Sequence, residues 1–510
     1  MTSTSGAHLA RTTCSAPARR ALLDRYPQAV GDAVLFRALA YLTFSSARDR
    51  DTGRLLIGAS ATEFIAGSPI YHSSTRTGAF RSGEQVLEYV RDRVLPGFRW
   101  TGWDARRRCR LVMDDGIDPS VHALVIADLA TPVRELERRV YLLTGETYSR
   151  RRRAAQQQSA RDRAATVPAP SETAAYLVQR MNDAQAHPAN AYAPLLRGMA
   201  EAKSAALATE LRRADGEGDA AYESRQQGVR RLHLATLRAI EDEPQPVYQP
   251  SRRARTDRIF PAGPSLLQVP KAIRGVLTDA ARWTELDLVA AQAAIASARW
   301  GCPQTKALLA GGGSMWDELF EICDLGRITR PSNEYDEIKG ALKTGIYSTI
   351  FGMRESAVIG SLSSDLRLVL GKSEAARTAR RFKMGWVARE LFDARDTVFG
   401  EIREQGGLDT PTGILARLDE DAGVDEASVL ATVAQSFEAE LIKPVLEYEE
   451  RHHAGRLSAS RRPDFRVLLL VHDGVYVRFK DEKARQRHVP LLQAAVAEVA
   501  DRYGIPTRLA

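Results

Sequence analysis

The chain has 510 residues, of which 44% are hydrophobic, and a formal net charge of +8. This length predicts two or three domains with a sizeable core. The four cysteines show no CxxC or Cys/His cluster, which argues against a disulfide framework and against a zinc site. The basic balance favours an anionic partner, nucleic acid first, although a GC-rich genome alone would also enrich the chain in alanine and arginine.

Residues 1–20 are rich in Ser, Thr, Ala and Arg and are predicted to form an unstructured tail. They contain no apolar segment of the kind found in secretory signals. No apolar run in the chain reaches the length needed to span a membrane, and the cysteine pattern fits a reducing compartment. We therefore expect a cytoplasmic protein with no membrane partner.

Region 21–145 is predicted to form a winged-helix-like DNA-binding domain, because three helical patterns precede two short strand patterns. These patterns cover 22–47, a helix beginning near Ser60, 84–95, 98–101 and 108–113, with a further helix over 119–145. Arg106, Arg107 and Arg108 would lie on the wing, where cations contact DNA phosphates. The alternative is an ordinary α+β domain with a solvated arginine loop.

Region 146–170 is charged, rich in Gln and then punctuated by proline, which is typical of a linker. Two arginine-rich helical patterns, at 171–212 and 218–241, predict a helical hairpin within a segment spanning 171–249. Prolines close this segment.

Region 250–510 carries the patterns that point to chemistry. A short strand from Trp283 ends near Asp287 and leads directly into a helix over 290–300. Helical sequence continues to about Glu390, and further helices are predicted over 427–450 and 489–503. The stretch Val467–Phe479, VLLLVHDGVYVRF, joins an apolar run to an alternating run through Asp-Gly, which predicts a β-hairpin with Asp473 at its tip.

A second pattern places two cations and two aromatic rings on one helical ridge. Lys339, Lys343, Tyr347 and Phe351 are each four residues apart, a spacing that drifts only about 40° per step on a helix. Ammonium groups suit a triphosphate, and ring faces suit a base and sugar. Taken singly, these residues have ordinary alternatives as a solvated face and as core.

Two acids at strand ends complete the set. Asp287 and Asp473 on adjacent strands could hold two divalent ions about 3.5–4 Å apart, the arrangement used for in-line phosphoryl transfer. The ordinary alternative for Asp287 is a helix cap, and for Asp473 a plain surface hairpin. The ordered occurrence of all three patterns favours the chemical interpretation.

In this order the patterns resemble the family A polymerases, which include bacterial DNA polymerase I and the single-subunit RNA polymerases. DLVAAQAAIAS from Asp287 matches motif A, the Lys339-to-Gly352 ridge matches motif B, and His472-Asp473 matches motif C. Weaker matches are LQVP at 267–270, before motif A, and the helix that contains Gln435. The resemblance covers roughly 250–510.

The resemblance implies an α+β, mostly helical fold: a right-hand polymerase with palm and fingers over 250–510, an antiparallel palm sheet and a thumb-like segment over 171–249. It implies template-directed nucleotidyl transfer, most simply DNA synthesis from a 3′ end. Asp287 and Asp473 would hold two Mg²⁺, with Mn²⁺ as an alternative. Lys343, helped by Lys339, would neutralise the incoming triphosphate.

The resemblance also implies the remaining contacts. Tyr347 and Phe351 would stack on the nucleotide, and Gln292 would control its sugar. The residues expected to touch primer and template are His472, Gln435, Arg258 and Arg274. The expected partners are template and primer DNA, nucleoside triphosphates and replication proteins.

The sequence also departs from the family pattern. Lys339 replaces the commoner Arg, Phe351 replaces a Tyr, Gln292 stands where a Glu is usual, and Gly474 follows motif C where Glu is usual. These departures leave two alternatives open: an RNA polymerase or primase, and a replication-initiator-type DNA-binding protein with a degenerate polymerase domain.

Overall fold

The chain is described from a computed structural model, and it is a mostly helical α+β protein with small antiparallel sheets, as predicted. No helix in the described part is both long and apolar enough to cross a membrane. The predicted site residues Arg106, Arg107, Arg108 and His472 lie outside the described residues. The structure describes residues 9, 12–45, 48, 54–67, 80, 82–104, 109–149, 158–159, 162–163, 166–186, 193–211, 213, 217–244, 246–251, 256–262, 265–419, 424–453, 463–471 and 473–510.

The helices are numbered in chain order. They are α1 Ala16–Arg25, α2 Ala33–Phe44, α3 Ala59–Ala66, α4 Gly83–Arg93, α5 Pro119–Ala130, α6 Glu172–Ala186, α7 Ala193–Arg197, α8 Met199–Ala208, α9 Asp219–Asp242, α10 Lys271–Ala281, α11 Ala291–Arg299, α12 Pro303–Ala310, α13 Met315–Ile322, α14 Asn333–Ile350, α15 Glu355–Leu370, α16 Lys372–Met384, α17 Trp386–Gln405, α18 Glu426–His453 and α19 Glu482–Tyr503.

The strands are short and pair antiparallel. They are β1 Thr13–Cys14, β2 Leu56–Gly58, β3 Arg99–Trp100, β4 Cys109–Asp114, β5 Val140–Tyr141, β6 Tyr248–Pro250, β7 Ile259–Pro261, β8 Trp283–Asp287, β9 Gly407–Asp409, β10 Leu415–Arg417, β11 Phe465–Val471 and β12 Gly474–Phe479.

The chain divides into two compact units, each assembled from several segments. The first comprises 1–164, 190–247 and 261–282, and the second comprises 165–189, 248–260 and 283–510. This division groups 171–189 with the second unit and 190–247 with the first, whereas the sequence predicted one thumb-like segment over 171–249. The functional domain boundaries predicted above stay a prediction.

In the first unit, a three-stranded sheet with strand order β2-β4-β3 accompanies α2, α3 and α4. Asp32 caps α2 by accepting from the Val34 and Leu35 amides, and Ser82 caps α4. The apolar face of α4, formed by Val86, Leu87 and Val90, is buried. Along the chain the elements therefore follow the order helix, strand, helix, helix, strand, strand.

A buried arginine organises the rest of the first unit. Arg238 on α9 is fully buried, pairs with Asp128 at 3.1 Å, and donates to the carbonyls of Thr13 and Thr131 at 2.9 and 3.0 Å. Leaving such a charge buried without partners would be strongly destabilising. The pair therefore fixes α9 against α5 and β1.

The second unit contains a three-stranded sheet of order β11-β12-β8. The β11–β12 hairpin is the one predicted from the sequence, with a register irregularity between Val467 and Leu469. Val467, Leu469, Val475 and Val477 are buried, which explains the near-continuous apolar sequence.

In the second unit, one apolar core is formed by residues that lie between positions 293 and 392 of the sequence. Leu319, Phe320, Leu342 and Phe382 are fully buried in it. It is built from helices α11 to α17 and supports α14, the helix that carries the predicted cationic ridge.

Several predicted helix limits were wrong, for local reasons. The pattern over 22–47 is two helices, because Pro27 and Gly31 interrupt it. The helix from 119 ends at Ala130, directly before Thr131-Pro132. The last helix begins at Glu482 rather than 489, because Asp481 caps it, and Pro490 lies inside it.

Two N-terminal expectations also differ from the structure. α1 begins at Ala16, inside the predicted tail, because Ser15 caps it and Pro17 suits its first turn. α3 is capped at Gly58, not at Ser60.

Candidate active site

The two predicted acids lie at the same end of neighbouring strands. In the antiparallel register of β8 and β12, Asp287 is opposite Gly474, the residue after Asp473. The Leu288 amide donates to the Asp473 carbonyl at 2.7 Å. On its other side, the backbone of Asp287 exchanges two hydrogen bonds with Ala510, at 3.0 and 2.9 Å. The Asp287 backbone is therefore held from both sides.

Gly474 makes this close approach sterically allowed. A Cβ atom at position 474 would collide with the Asp287 carboxylate and would lie 2.7 Å from the Leu286 carbonyl oxygen. A larger residue, such as the glutamate usual in the resembled family, would have to displace the Asp287 side chain. The glycine at this departure from the family pattern is therefore a consequence of how the two strands pack.

The cationic ridge lies on α14, which begins after the N-cap Ser332. Lys343 is exposed and its Nζ lies 5.2 Å from the ring centre of Tyr347, while Lys339 is half-buried. Phe351 lies one residue beyond the end of the helix. Gly352 follows with a φ of +82°, and a Cβ atom there would collide with Ala427, which explains the Phe-Gly pair.

Electrostatic coupling indicates that Tyr347 is near the two acids. Burial raises the pKa of the Tyr347 hydroxyl, and the negative charges of Asp473, Glu438 and Asp287 raise it further. The ring also packs edge-on against Trp316, with centroids 6.3 Å apart. The structure thus brings together three of the predicted residues, Asp287, Asp473 and Tyr347, and adds a carboxylate that was not predicted.

That added carboxylate, Glu438, links two predicted residues. It is 1% exposed, accepts from Arg258 Nε at 2.9 Å and Nη2, and accepts from the side-chain amide of Gln292. Burial raises the pKa of Glu438 to about 7, and the negative Asp473 adds to the shift, although Arg258 and Gln292 oppose it. Gln292 itself is buried, on the first turn of α11.

The sequence contained a signal for Glu438 that was not used. On α18 the buried positions Ala434, Phe437, Leu441 and Val445 follow a helical period, and Glu438 falls within that apolar face. A carboxylate there is almost never buried unless it is paired. An acid within an apolar stripe was therefore a pointer to a buried polar network.

The other predicted residues lie elsewhere on these elements. Gln435 is half-buried on α18, three residues before Glu438. Arg274 is half-buried on α10, which belongs to the first unit. Neither position tests the predicted contact with nucleic acid.

The donor set fits a hard divalent cation. Two carboxylates at neighbouring strand ends offer the oxygen ligands that Mg²⁺ prefers. No nitrogen or sulfur ligand of the kind that favours zinc is indicated beside them among the described residues.

Comparisons with known proteins found matches among solved structures. No protein-family model matches the chain, and no curated protein matches it. Among solved structures, the POL domain of Pol1 from M. smegmatis, in complex with DNA primer-template and dNTP, aligns with 13% identity and a TM-score of 0.44. The alignment covers 77% of this chain and 72% of that one.

The raised pKa of Glu438 gives a prediction about stability. In the unfolded chain the carboxyl titrates near 4.5, and in the folded chain near 7. The proton is therefore bound more tightly in the folded state. Its contribution to the free energy of unfolding is complete below pH 4.5 and is lost as the pH rises through 7. The free energy of unfolding of wild type, relative to E438Q, should fall by about 3 kcal/mol over that range.

Urea unfolding at a series of pH values measures this difference. Glu447 on the same helix has a side chain that is 41% exposed, and E447Q serves as the matched control whose profile should run parallel to wild type. A wild-type profile that rises with pH relative to E438Q would show that the Arg258 pair outweighs burial.

Proposed function

We propose that the second unit is a template-directed nucleotidyltransferase, a DNA polymerase of the family A kind that extends a 3′ end. One observation carries the proposal: the strand register brings Asp287 beside Asp473. In addition to burial, the negative charges of both acids raise the pKa of the Tyr347 hydroxyl, which belongs to the cationic helix. This juxtaposition supports the proposal, because the resemblance assigns both acids to one site.

Asp287 and Asp473 would hold two Mg²⁺, or Mn²⁺ in their place. Such a pair supplies charge stabilisation at a transferring phosphoryl group. The protein contributes rigidity, because β12 and residues 508–510 hold the backbone on either side of Asp287. A fixed pair of carboxylates costs little reorganisation during reaction.

The α14 ridge would bind the incoming nucleotide. Lys343 is exposed and free to neutralise phosphate charge, with Lys339 one turn earlier. Tyr347 and Phe351 would supply ring faces to the base and sugar. The Nζ of Lys343 lies 5.2 Å from the Tyr347 ring centre, which is within reach of one nucleotide.

Primer and template contacts are proposed for His472, Gln435, Arg258 and Arg274. The Arg258 guanidinium also donates to Glu438, which fixes its position. The alternatives, an RNA polymerase or primase and an initiator protein with a degenerate site, differ in product: RNA, or none. Replication proteins remain proposed partners.

The metal pair gives the first test of this proposal. D287N and D473N each remove one charged ligand, so primer extension with Mg²⁺ should fall by about a thousandfold or more, while the fold persists. E285Q changes a carboxylate two residues away on the same strand and should retain activity within a few-fold. Assaying dNTPs and rNTPs, with and without primer, distinguishes the alternatives. Synthesis at the wild-type rate by D287N or by D473N would refute the site.

The sugar preference gives a second test. Gln292 is the second residue of α11, five residues after Asp287, and its volume would crowd a ribose 2′-hydroxyl. Q292A should raise rNTP incorporation relative to dNTP incorporation by roughly tenfold, which corresponds to about 1.4 kcal/mol. Single-nucleotide extension measures both rates. A ratio unchanged from wild type would exclude Gln292 as the gate, and a wild type that prefers rNTPs would favour the RNA polymerase or primase.

We further propose that the N-terminal elements bind DNA as a winged helix. The order helix, strand, helix, helix, strand, strand and the sheet order β2-β4-β3 support this proposal. The helix that would enter a groove, α4, carries Glu84, Glu88 and Asp92 against Arg91 and Arg93. This helix has more acidic than basic side chains, so it would not attract DNA phosphates. The proposed DNA contact therefore depends on the arginines between β3 and β4.

Salt dependence tests that contact. Replacing Arg106, Arg107 and Arg108 with alanine in the full chain should reduce the slope of log affinity against log salt by up to about 3, since each phosphate contact contributes about 0.9. The matched control replaces Arg151, Arg152 and Arg153 with alanine, which removes the same amount of positive charge from the linker. Equal slopes for the two triple variants would mean that the loop contributes only net charge.

A further inference from the structure

Three metal-binding side chains converge at the end of the β11–β12 hairpin away from Asp473. His452 comes from the last turn of α18, Asp464 directly precedes β11, and His488 lies in the second turn of α19. Their ligand atoms all lie within 4.8 Å of one another. Among the described residues, this is the group of three or more His, Cys, Asp or Glu side chains that is close enough together to hold a metal ion.

The spacing suits coordination better than direct hydrogen bonds. Nε2 of His452 and Nε2 of His488 lie 3.7 and 3.6 Å from Asp464 Oδ2. Hydrogen bonds of this type are normally about 2.7–3.2 Å long. Ligands placed about 2.0–2.2 Å from a tetrahedral ion are separated by roughly 3.3 Å, so shifts of a few tenths of an ångström would bring each histidine nitrogen to that distance from Asp464 Oδ2.

The surroundings of His488 orient it toward this point. Its side chain is 1% exposed, and its Nδ1 is 3.2 Å from the Tyr448 hydroxyl. Its Nε2 is buried without a hydrogen-bond partner. When Nδ1–H donates to Tyr448, the Nε2 lone pair faces Asp464 and His452. Metal-binding histidines commonly have their second ring nitrogen held in this way.

The ligand types select the class of ion. Two imidazoles and one carboxylate suit Zn²⁺, whereas Mg²⁺ prefers oxygen ligands alone. The intervening residues 454–462, AGRLSASRR, contain no imidazole, thiol or carboxylate, so that loop supplies no fourth ligand of these types. Arg487 lies 3.4 Å from Asp464 Oδ2, but its side chain is 63% exposed and is free to turn into solvent.

We propose that His452, Asp464 and His488 form a zinc site that fastens the end of α18 and the start of β11 to α19. β11 has seven residues, about 23 Å at 3.3 Å per residue, so the site is separate from Asp473. With three protein ligands the fourth position would be left to water, and the ion would clamp the three elements beside the sheet. The proposal is independent of the function proposed above.

The test measures zinc directly on the tag-free full chain. After chelation and refilling with Zn²⁺, mass spectrometry of the dialysed protein should find about one zinc per chain. D464N and H452Q should weaken zinc binding at least roughly tenfold in titration calorimetry. H453Q is the matched control, because His453 is adjacent but its Nε2 lies 2.9 Å from the Phe465 carbonyl oxygen.

Two further measurements guard against misfolded variants. Zinc should raise the melting temperature of wild type and H453Q but not of H452Q, and excess Mg²⁺ should not substitute. Co²⁺ in the site should give the visible bands of a tetrahedral ion, and these should be lost in D464N. Wild type that retains no zinc, or H452Q that binds zinc as tightly as wild type, would overturn the proposal and leave a cluster of buried polar side chains.

Discussion

The antiparallel register between β8 and β12 is the constraint on which the candidate site depends. Side chains alternate between the two faces of a strand, so a slip of one residue would send Asp287 to the opposite face from the one it now occupies. This register places Gly474 opposite Asp287, where a Cβ atom would collide with the Asp287 carboxylate. The buried residues Val475 and Val477 fix it along the rest of the strand.

This register places the negative charges of Asp287 and Asp473 close together, and these charges raise the pKa values of neighbouring side chains. The charges of Asp287, Asp473 and Glu438 all oppose ionisation of Tyr347, and the charge of Asp473 raises the pKa of Glu438. Like charges close together destabilise one another unless cations intervene. Within the protein, Arg258 offsets Glu438, and the exposed Lys343 adds positive charge beside Tyr347. The site is therefore suited to ligands that bring cations.

The sequence predicted those elements whose patterns are local. The hairpin, the short strand before Asp287 and helix α14 were all found, because alternation, an Asp-Gly turn and a spacing of four are visible in adjacent residues. Helix limits were missed at Pro132 and Pro490, since a proline ends one helix and is tolerated inside another according to its surroundings.

Non-local features were beyond the sequence. The division of the chain into interleaved units depends on contacts between distant segments, such as the Arg238 pair with Asp128. Likewise, the meeting of Asp464 with His488 depends on where α19 packs, and no spacing rule relates those two positions. Glu438 is intermediate, because its place in an apolar stripe was visible but its partners were not.

The hydrogen bonds of Glu438 bear on how a sugar would be distinguished at Gln292. An ionised carboxylate only accepts, so Glu438 fixes the amide nitrogen of Gln292 toward itself and leaves the amide oxygen buried without a partner. If Gln292 faces the ribose, that oxygen would accept a hydrogen bond from a 2′-hydroxyl, worth about 1 kcal/mol, and so would favour ribonucleotides. Crowding acts in the opposite direction and costs about 1–3 kcal/mol. In such a site crowding would offset the hydrogen bond, so the proposed gate would favour deoxyribonucleotides by only a small margin.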